Sequence, residues 1–158
     1  MADKLRVYVA GAWVEQMDRA RPTIARLRET GLIEITHDWT VSEILPLSDS
    51  DLSPEERVRH AQADLDGVLA AQVLLLLAAN DKSACGSWVE LGAALAVRAE
   101  RQRWVGYPTT RPCVVVAGVK NRRTIFTELA DHLCETDAEA ERLVVERAWR
   151  HQRPVEAP

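Results

Sequence analysis

The chain has 158 residues, a length that suits a single domain, and its composition excludes several classes of protein. Its formal net charge is −4, with 24 acidic residues against 20 Lys and Arg. It therefore lacks the basic excess of a general nucleic-acid binder. Hydrophobic residues make up 47% and charged residues 28%, which predicts a globular domain with a core and a solvated surface.

The cysteines, the histidines and the N-terminus bear on metal binding and localisation. Cys85, Cys113 and Cys134 are widely spaced and odd in number, which argues against a disulfide framework or a zinc site. The four histidines show no metal-ligand spacing, so we expect no metal and no cofactor. The N-terminus has no signal-peptide pattern, and the longest apolar run, Val73 to Ala79, is too short for a bilayer. We expect a cytoplasmic protein that does not bind membranes.

Strands and helices alternate along the chain. Short apolar segments predict strands at Leu5 to Ala10, Leu32 to Thr36, Val73 to Leu77 and Cys113 to Ala117, with a short edge element near His132. Apolar residues at helical spacing and capping signals predict helices at about Glu15 to Thr30, from Ser53 to about Val68, at about Ser87 to Glu100, and from Thr136 through Trp149.

Sharper signals mark some of the helix ends. Gly31 suits the position after the first helix, where a left-handed backbone is common. Ser53 followed by Pro54 and Glu56 predicts an N-cap with a capping box, and Thr136 with Glu139 predicts another. The polar residues His37 to Leu52 predict a long loop.

The alternation predicts an α/β fold: a single-domain, doubly wound, mostly parallel sheet of about five strands with helices on both faces, Rossmann-like or flavodoxin-like. We expect this domain to span residues 1–150 and to be followed by a disordered tail at 151–158. In such sheets ligands bind beyond the carboxyl ends of the strands. The functional residues should therefore lie in the segments that follow the strands.

Two interpretations compete for Glu90, which follows Ser87 by three residues at a helix start. It can close another capping box by reaching back to the Ser87 amide. Alternatively, the helix dipole keeps it ionised, and it attacks an electrophilic carbon while Gly86 and Gly92 allow close backbone approach. Asp64, at the end of the preceding helix, fits either a solvated face or a site. Asp66 fits the solvated face.

The order of four motifs resembles the nucleoside 2-deoxyribosyltransferase-like family, which includes nucleoside and nucleotide N-glycosidases and borders on TIR-like NAD-cleaving domains. The matching segments are VYVAG from Val7 to Gly11, ADLDGV from Ala63 to Val68, GSWVELGAA from Gly86 to Ala94, and Val116 to Gly118 with Thr124 to Phe126 and Leu129 to Asp131. The resemblance covers about Arg6 to Val145 and implies the fold predicted above.

The resemblance also implies catalytic roles. Glu90 matches the family nucleophile, which attacks the anomeric carbon and forms a covalent glycosyl-enzyme. Asp64 matches an acid that orients the substrate and helps to protonate the leaving base. Tyr8 matches a residue that holds the nucleophile in place. The family commonly forms dimers or larger oligomers, so a homodimer or higher homo-oligomer is expected.

Further residues are candidates for binding a nucleoside or nucleotide. Gly11, Gly86 and Ser87 border the predicted crevice, and the indoles of Trp13, Trp39 and Trp88 are suited either to stack on a base or to pack in the core. Two features depart from the family pattern. Ala84 stands where relatives often have a sugar-binding acid, for which Asp81 is a substitute, unless it only forms a turn.

The second departure concerns phosphate. Ala12 to Val14 lacks the Ser or Arg of nucleotide-specific relatives, although the basic residues Lys120 to Arg123 suit either a phosphate or solvent. The long connection from Arg101 to Pro112 is either functional or mobile. We therefore expect cleavage of an N-glycosidic bond, by hydrolysis or transfer. The alternatives are a TIR-like NAD-cleaving enzyme and a non-catalytic nucleotide sensor.

Overall fold

The computed structural model describes residues 3–41, 52–79, 85–103, 112–118 and 124–153. These residues form the predicted α/β fold, in which one five-stranded sheet has only parallel strands. The strands are β1 (Leu5–Gly11), β2 (Ile33–Ile35), β3 (Val73–Leu77), β4 (Cys113–Ala117) and β5 (His132–Cys134). The helices are α1 (Arg21–Glu29), α2 (Pro54–Ala70), α3 (Cys85–Arg103) and α4 (Asp137–His151).

The strand order is β2-β1-β3-β4-β5, which is the flavodoxin-like order. From β1 the chain first moves to one side, to β2, and then crosses to the other side, to β3. This change of direction between β1 and β3 is the topological switch point at which ligands bind in folds of this type. The two strands run in register from Val7 opposite Val73 to Gly11 opposite Leu77.

Helices cover both faces of the sheet. Side chains alternate along each strand, so Val7 and Val9 face α1 and α4, whereas Tyr8 and Ala10 face α2 and α3. All five residues of β3 and of β4 are buried, as expected for central strands that are covered on both sides. Tyr8 therefore shares its face of the sheet with the helices that carry Asp64 and Glu90.

The segment before α1 differs from the prediction of one helix starting near Glu15. Trp13–Glu15 forms a 3-10 turn and Gln16–Ala20 a π-helical turn, so the α-helix begins only at Arg21. Pro22 explains this boundary, because it has no amide hydrogen for a regular helical bond and favours the first turn of a helix. The wider turn also leaves Met17 half exposed, although its spacing had placed it with the core residues.

The predicted helix ends are largely confirmed. Ser53 is the N-cap of α2 and forms both hydrogen bonds of a capping box with Glu56. Gly31 follows α1 with a φ of 69°, a conformation that side chains disfavour. Thr136 caps α4 by accepting from the amide of Glu139, but the Glu139 carboxylate accepts from the Glu135 amide instead of closing the box.

Two further findings concern the ends of the chain and the bilayer. Helix α4 runs to His151, and residues 154–158 of the expected tail lie outside the described residues. No helix in the described ranges is both long and apolar enough to cross a membrane.

Candidate functional site

The Tyr8 hydroxyl lies at the centre of a cluster of two acids. It is 2.7 Å from Oε1 of Glu90 and 3.1 Å from Oδ1 of Asp64, and the Tyr8 side chain is fully buried in β1. A phenol has one proton to donate. When that proton bonds to one carboxylate, the other contact is favourable only if that carboxyl group itself carries a proton.

Gly67 explains how α2 brings Asp64 to Tyr8. A Cβ at Gly67 would lie 2.6 Å from Cβ of His37 and 2.9 Å from two ring carbons of Tyr8. Such distances are far inside van der Waals contact, so only glycine lets the helix pack this closely. Asp64 lies one turn earlier on the same side of α2, which puts its carboxylate next to the phenol.

Glu90 belongs to the second turn of α3, because this helix begins at Cys85, two residues before the predicted start. Ser87 therefore lies inside the helix and is not its N-cap, so the capping-box interpretation of Glu90 is wrong. The carboxylate accepts a hydrogen bond from Tyr8 instead. Ser87, Glu90, Leu91 and Ala94 form the buried face of the helix.

The electrostatics of Glu90 also differ from the expectation. Burial raises the pKa of Glu90 to about 7, the hydrogen bond from Tyr8 opposes this rise, and the charge of Asp64 adds to it. Desolvation therefore opposes the expected ionisation of Glu90, because burial favours the neutral acid. Near neutral pH the group is divided between its acid and its carboxylate.

Asp64 is the more open of the two acids. Burial raises the pKa of Asp64, opposed by the charge of His37, the hydrogen bond from Tyr8 and the charge of His60. His37 Nε2 lies 3.4 Å from Asp64 Oδ1, and each of these side chains is 32% exposed. The neighbouring Asp66 is exposed and accepts from Gln62, which agrees with a solvated face.

The polar groups thus form a chain from the surface to the interior: His37, Asp64, Tyr8 and Glu90. Burial, the charges of Glu90 and Asp64, and the hydrogen bonds to both acids raise the pKa of Tyr8 far above its ordinary value, so the phenol keeps its proton while it bridges the acids. Perturbed titratable groups clustered at a switch point are typical of functional sites. A proton can move along such a chain without any charged intermediate on Tyr8.

Two tryptophans lie at the carboxyl end of β1, and their ring centroids are 6.1 Å apart with planes inclined by 31°. Trp39 donates its indole N–H to the carbonyl of Val9 at 2.8 Å and packs against buried apolar residues on both faces of the sheet. Gly11 lies against its ring. Trp13 is the more exposed of the pair, at 36%. Trp39 is thus anchored at the carboxyl end of β1, and the more exposed Trp13 beside it is accessible to a ligand.

Trp88 and the residues beside it complete the described part of the site. Trp88 is half-buried and packs against Ala12 and Ala79, which follow β1 and β3. Ser87 is buried, and its hydroxyl has no hydrogen-bond partner among the described residues. A Cβ at Gly86 would meet no atom within 4 Å, and the same is true of Gly92. No described part of the protein therefore packs closely against either glycine.

Several predicted features fall outside the described residues. These are Asp81, Ala84, the basic residues Lys120 to Arg123, and positions 104–111 of the connection before β4. The structure therefore brings together Tyr8, Asp64 and Glu90, and it places Gly11, Trp13, Trp39, Gly86, Ser87 and Trp88 around the carboxyl ends of β1 and β3.

Neither the composition nor the motifs indicated a role for Arg19. This residue connects the segment after β1 with the segments that follow β3 and begin α4. Its guanidinium donates two bonds to Asp137, at 2.9 and 2.7 Å, a third to the carbonyl of Ala78 at 3.1 Å, and it also pairs with Glu15. These bonds connect the turn that carries Trp13 with the end of β3 and the start of α4. In the sequence, Arg19 is only one of several charged residues near the start of the first helix, so nothing distinguished it.

A surface cavity of about 270 Å³ lies beside β4 and β5, and its lining includes Cys113, Asp131, His132 and Arg147. Asp131 accepts from the Val114 amide and from Arg98, so it serves the local structure. No group of three or more metal-ligating side chains occurs in the described part of the chain. The acid cluster between β1, α2 and α3 is thus the strongest candidate site.

Comparison with known proteins adds no assignment. No protein-family model matches the chain, and no curated protein matches it. The acid cluster and its surroundings therefore carry the functional proposal.

Proposed function

We propose that the protein cleaves the N-glycosidic bond of a nucleoside or nucleotide, with Glu90 as the nucleophile. The observation that carries this proposal is the contact of a buried Glu90 with Tyr8, which also contacts Asp64. The pKa of Glu90, raised by burial to about 7, allows the carboxylate to form at neutral pH while it stays poorly solvated and reactive.

The first step forms a covalent glycosyl ester. A Glu90 carboxylate oxygen forms a bond to the anomeric carbon as the bond from that carbon to the base nitrogen breaks. The electron pair of the broken bond leaves with the base, which takes up a proton. Tyr8 holds the attacking carboxylate in position through its hydroxyl.

The bridge through Tyr8 supplies both the carboxylate and the proton. When Glu90 is protonated, its O–H donates to the Tyr8 oxygen and the Tyr8 proton bonds to Asp64. Transfer of both protons in the same direction leaves Glu90 ionised, Tyr8 neutral and Asp64 protonated. Asp64, whose side chain is 32% exposed, then protonates the leaving base.

The second step releases the sugar. Water attacks the anomeric carbon of the ester, the bond to Glu90 breaks, and the proton lost by water returns to the acid cluster. An acceptor base in place of water gives transfer. We propose Trp13 as the stacking surface for the base, because it is the exposed member of a pair whose other member is anchored.

An assay of base release tests this proposal. The purified protein is incubated with a panel of nucleosides, nucleoside monophosphates and NAD, and released base is separated and quantified. We expect release from a nucleoside or monophosphate, its loss in Glu90→Gln, and a large decrease in Asp64→Asn. Asp66→Asn is the matched control, because Asp66 is exposed two residues along the same helix, and it should retain wild-type activity.

The outcomes separate the alternatives. Release from NAD alone would replace the proposal with an NAD-cleaving activity. Tight binding of a panel member without release of base would instead indicate a sensor. Release that persists in Glu90→Gln would contradict the assignment of the nucleophile. Intact-mass analysis of a rapidly quenched reaction provides a direct test, since the ester adds the mass of the glycosyl group to the protein. Proteolytic digestion should then locate this mass on the peptide that contains Glu90.

We also propose that the protein acts in the cytoplasm as a homodimer or higher homo-oligomer. The short helical segment after β4 supports the oligomer, because Ile125, Phe126 and Leu129 are all more than half exposed there. Sedimentation velocity at several concentrations tests it. A monomer at all of them would contradict the proposal.

A further inference from the structure

Ser87 is an anomaly in the described structure, because it is a buried hydroxyl without a partner. The residue is 3% exposed, and its Oγ forms no hydrogen bond with the described residues. Buried polar groups are nearly always paired, since an unpaired group loses its water without replacement. The apolar core gains nothing from a hydroxyl at this position, which points to a partner that arrives with the substrate.

The position of Ser87 relative to Glu90 indicates which part of a substrate would meet it. Both residues belong to the buried face of α3, three residues apart. Side chains at this spacing are neighbours, with Cβ atoms about 5–6 Å apart. Because α3 starts beyond the carboxyl end of β3, Ser87 lies between Glu90 and the edge of the sheet at which a ligand enters. A sugar attacked by Glu90 would therefore lie beside Ser87.

The stereochemistry of the displacement narrows the contact to one face of the sugar. The nucleophile approaches the anomeric carbon from the side opposite the leaving base. In a ribofuranoside whose base is in the β configuration, the hydroxyl on the adjacent carbon, C2′, points to that same side. Tyr8, the other hydroxyl beside Glu90, already contacts both acids. Ser87 is the remaining unpaired hydroxyl on this face of α3.

We propose that Ser87 binds the 2′-hydroxyl of the substrate sugar and thereby selects ribosyl over 2′-deoxyribosyl substrates. This inference rests on the proposed function, since it uses Glu90 as the nucleophile to orient the sugar. It is a statement about specificity: a 2′-deoxy sugar leaves the Ser87 hydroxyl buried and unpaired, and sites built around a hydrogen bond reject analogues that lack the partner group.

Matched substrates and variants test the inference. The ratio of kcat/KM for a ribonucleoside to that for its 2′-deoxy analogue is measured in the wild type, in Ser87→Ala and in Val89→Ala. Val89 is an exposed residue of the same helix and serves as the control. We expect the wild type to prefer the ribonucleoside, Ser87→Ala to lower the ratio about tenfold, as expected for one hydrogen bond, and Val89→Ala to leave it unchanged. An unchanged ratio in Ser87→Ala overturns the inference.

A 3′-deoxyribonucleoside identifies the hydroxyl that is bound. Its kcat/KM should still fall in Ser87→Ala, because the 2′-hydroxyl is present. If Ser87→Ala affects the 2′-deoxy substrate as much as the ribonucleoside but does not affect the 3′-deoxy substrate, Ser87 binds the 3′-hydroxyl and the inference is wrong.

Equilibrium binding separates this inference from the proposed function. Dissociation constants for the two nucleosides are measured by calorimetry with Glu90→Gln, with and without Ser87→Ala. Tighter ribonucleoside binding that depends on Ser87 supports the inference even if the wild type releases no base. Base release with no sugar preference refutes the inference and leaves the proposed function intact, and binding of neither the two nucleosides nor their monophosphates refutes both.

Discussion

Gly67 and Tyr8 are in such close contact that a single added carbon at Gly67 would lie 2.9 Å from the tyrosine ring. This approach sets the distance between α2 and β1, and it thereby sets the distance between Asp64 and the phenol. Asp64 therefore reaches Tyr8 only because position 67 of α2 is a glycine.

We predict that Gly67→Ala destabilises the fold and reduces any activity of the site. The added Cβ must displace either the Tyr8 ring or the helix, and such overpacking costs about 1–3 kcal/mol. Urea unfolding monitored by tryptophan fluorescence measures the change. Gly92→Ala is the control, because a Cβ there meets no atom within 4 Å. It should stabilise the protein by up to about 1 kcal/mol, since alanine favours helix. Equal effects of the two substitutions would refute the packing argument.

Tyr8→Phe and Asp64→Asn should move the pKa of Glu90 in opposite directions. The hydrogen bond from Tyr8 lowers this pKa and the charge of Asp64 raises it. The limb of the kcat/KM profile that reports Glu90 should therefore shift to higher pH in Tyr8→Phe and to lower pH in Asp64→Asn, relative to the wild-type limb near pH 7. Shifts in the same direction would show that the three groups do not titrate as the geometry implies.

Glu90→Gln should stabilise the fold in a pH-dependent way. The folded protein holds the Glu90 proton up to a pKa of about 7, whereas an unfolded chain releases it near 4.5. Stability linked to this group is therefore complete below pH 4.5 and is lost as the pH rises through 7. Glutamine resembles the protonated form, so the variant should match the wild type at pH 4.5. At pH 8 its free energy of unfolding should be about 3 kcal/mol greater at most.

Chemical denaturation at a series of pH values checks this expectation. Asp66→Asn controls for the loss of one negative charge, since Asp66 is exposed and pairs only with Gln62 among the described residues. A Glu90→Gln variant that is less stable than the wild type at pH 8 would mean that the carboxylate is well compensated in the folded state.

Arg19→Met should destabilise the edge of the sheet beside Trp13. It removes the guanidinium that donates hydrogen bonds to Asp137, Glu15 and the Ala78 carbonyl. The loss of a partly buried network of this kind costs about 1–3 kcal/mol. Arg103→Ala, which breaks an exposed pair 3.6 Å long with Glu100, should change stability by less than about 0.5 kcal/mol. Thermal unfolding of both variants at low and high salt provides the comparison. Similar losses would contradict the role assigned to Arg19.

The fold was predictable because its signals are local. The apolar runs at Val73 to Leu77 and Cys113 to Ala117 have the bounds of β3 and β4, and the capping residues Ser53 and Thr136 mark the starts of α2 and α4. The π-helical turn before α1 was not predictable, because its apolar residues also fit the spacing of an ordinary helix. Only the position of Pro22 hinted at the later start.

The sequence indicated which residues belong to the candidate site, but it did not indicate their contacts or their pKa values. Asp64 fitted a surface position or a site equally well by periodicity, and only the fold shows that it contacts Tyr8. The pKa of Glu90 depends on how deeply α3 is buried, which no local pattern encodes. The role of Gly67 was missed for the same reason, since the ring that it accommodates comes from a distant strand.

The separation of the acid cluster along the chain bears on how the protein folds. Tyr8 meets partners 56 and 82 residues away, on two different helices. Contacts of such long range form only after much of the chain has been ordered, and they slow folding because the intervening segments must close first. A partly synthesised or partly unfolded chain therefore has no acid cluster. The appearance of the shifted Glu90 titration during refolding would report the arrival of α3 on the sheet.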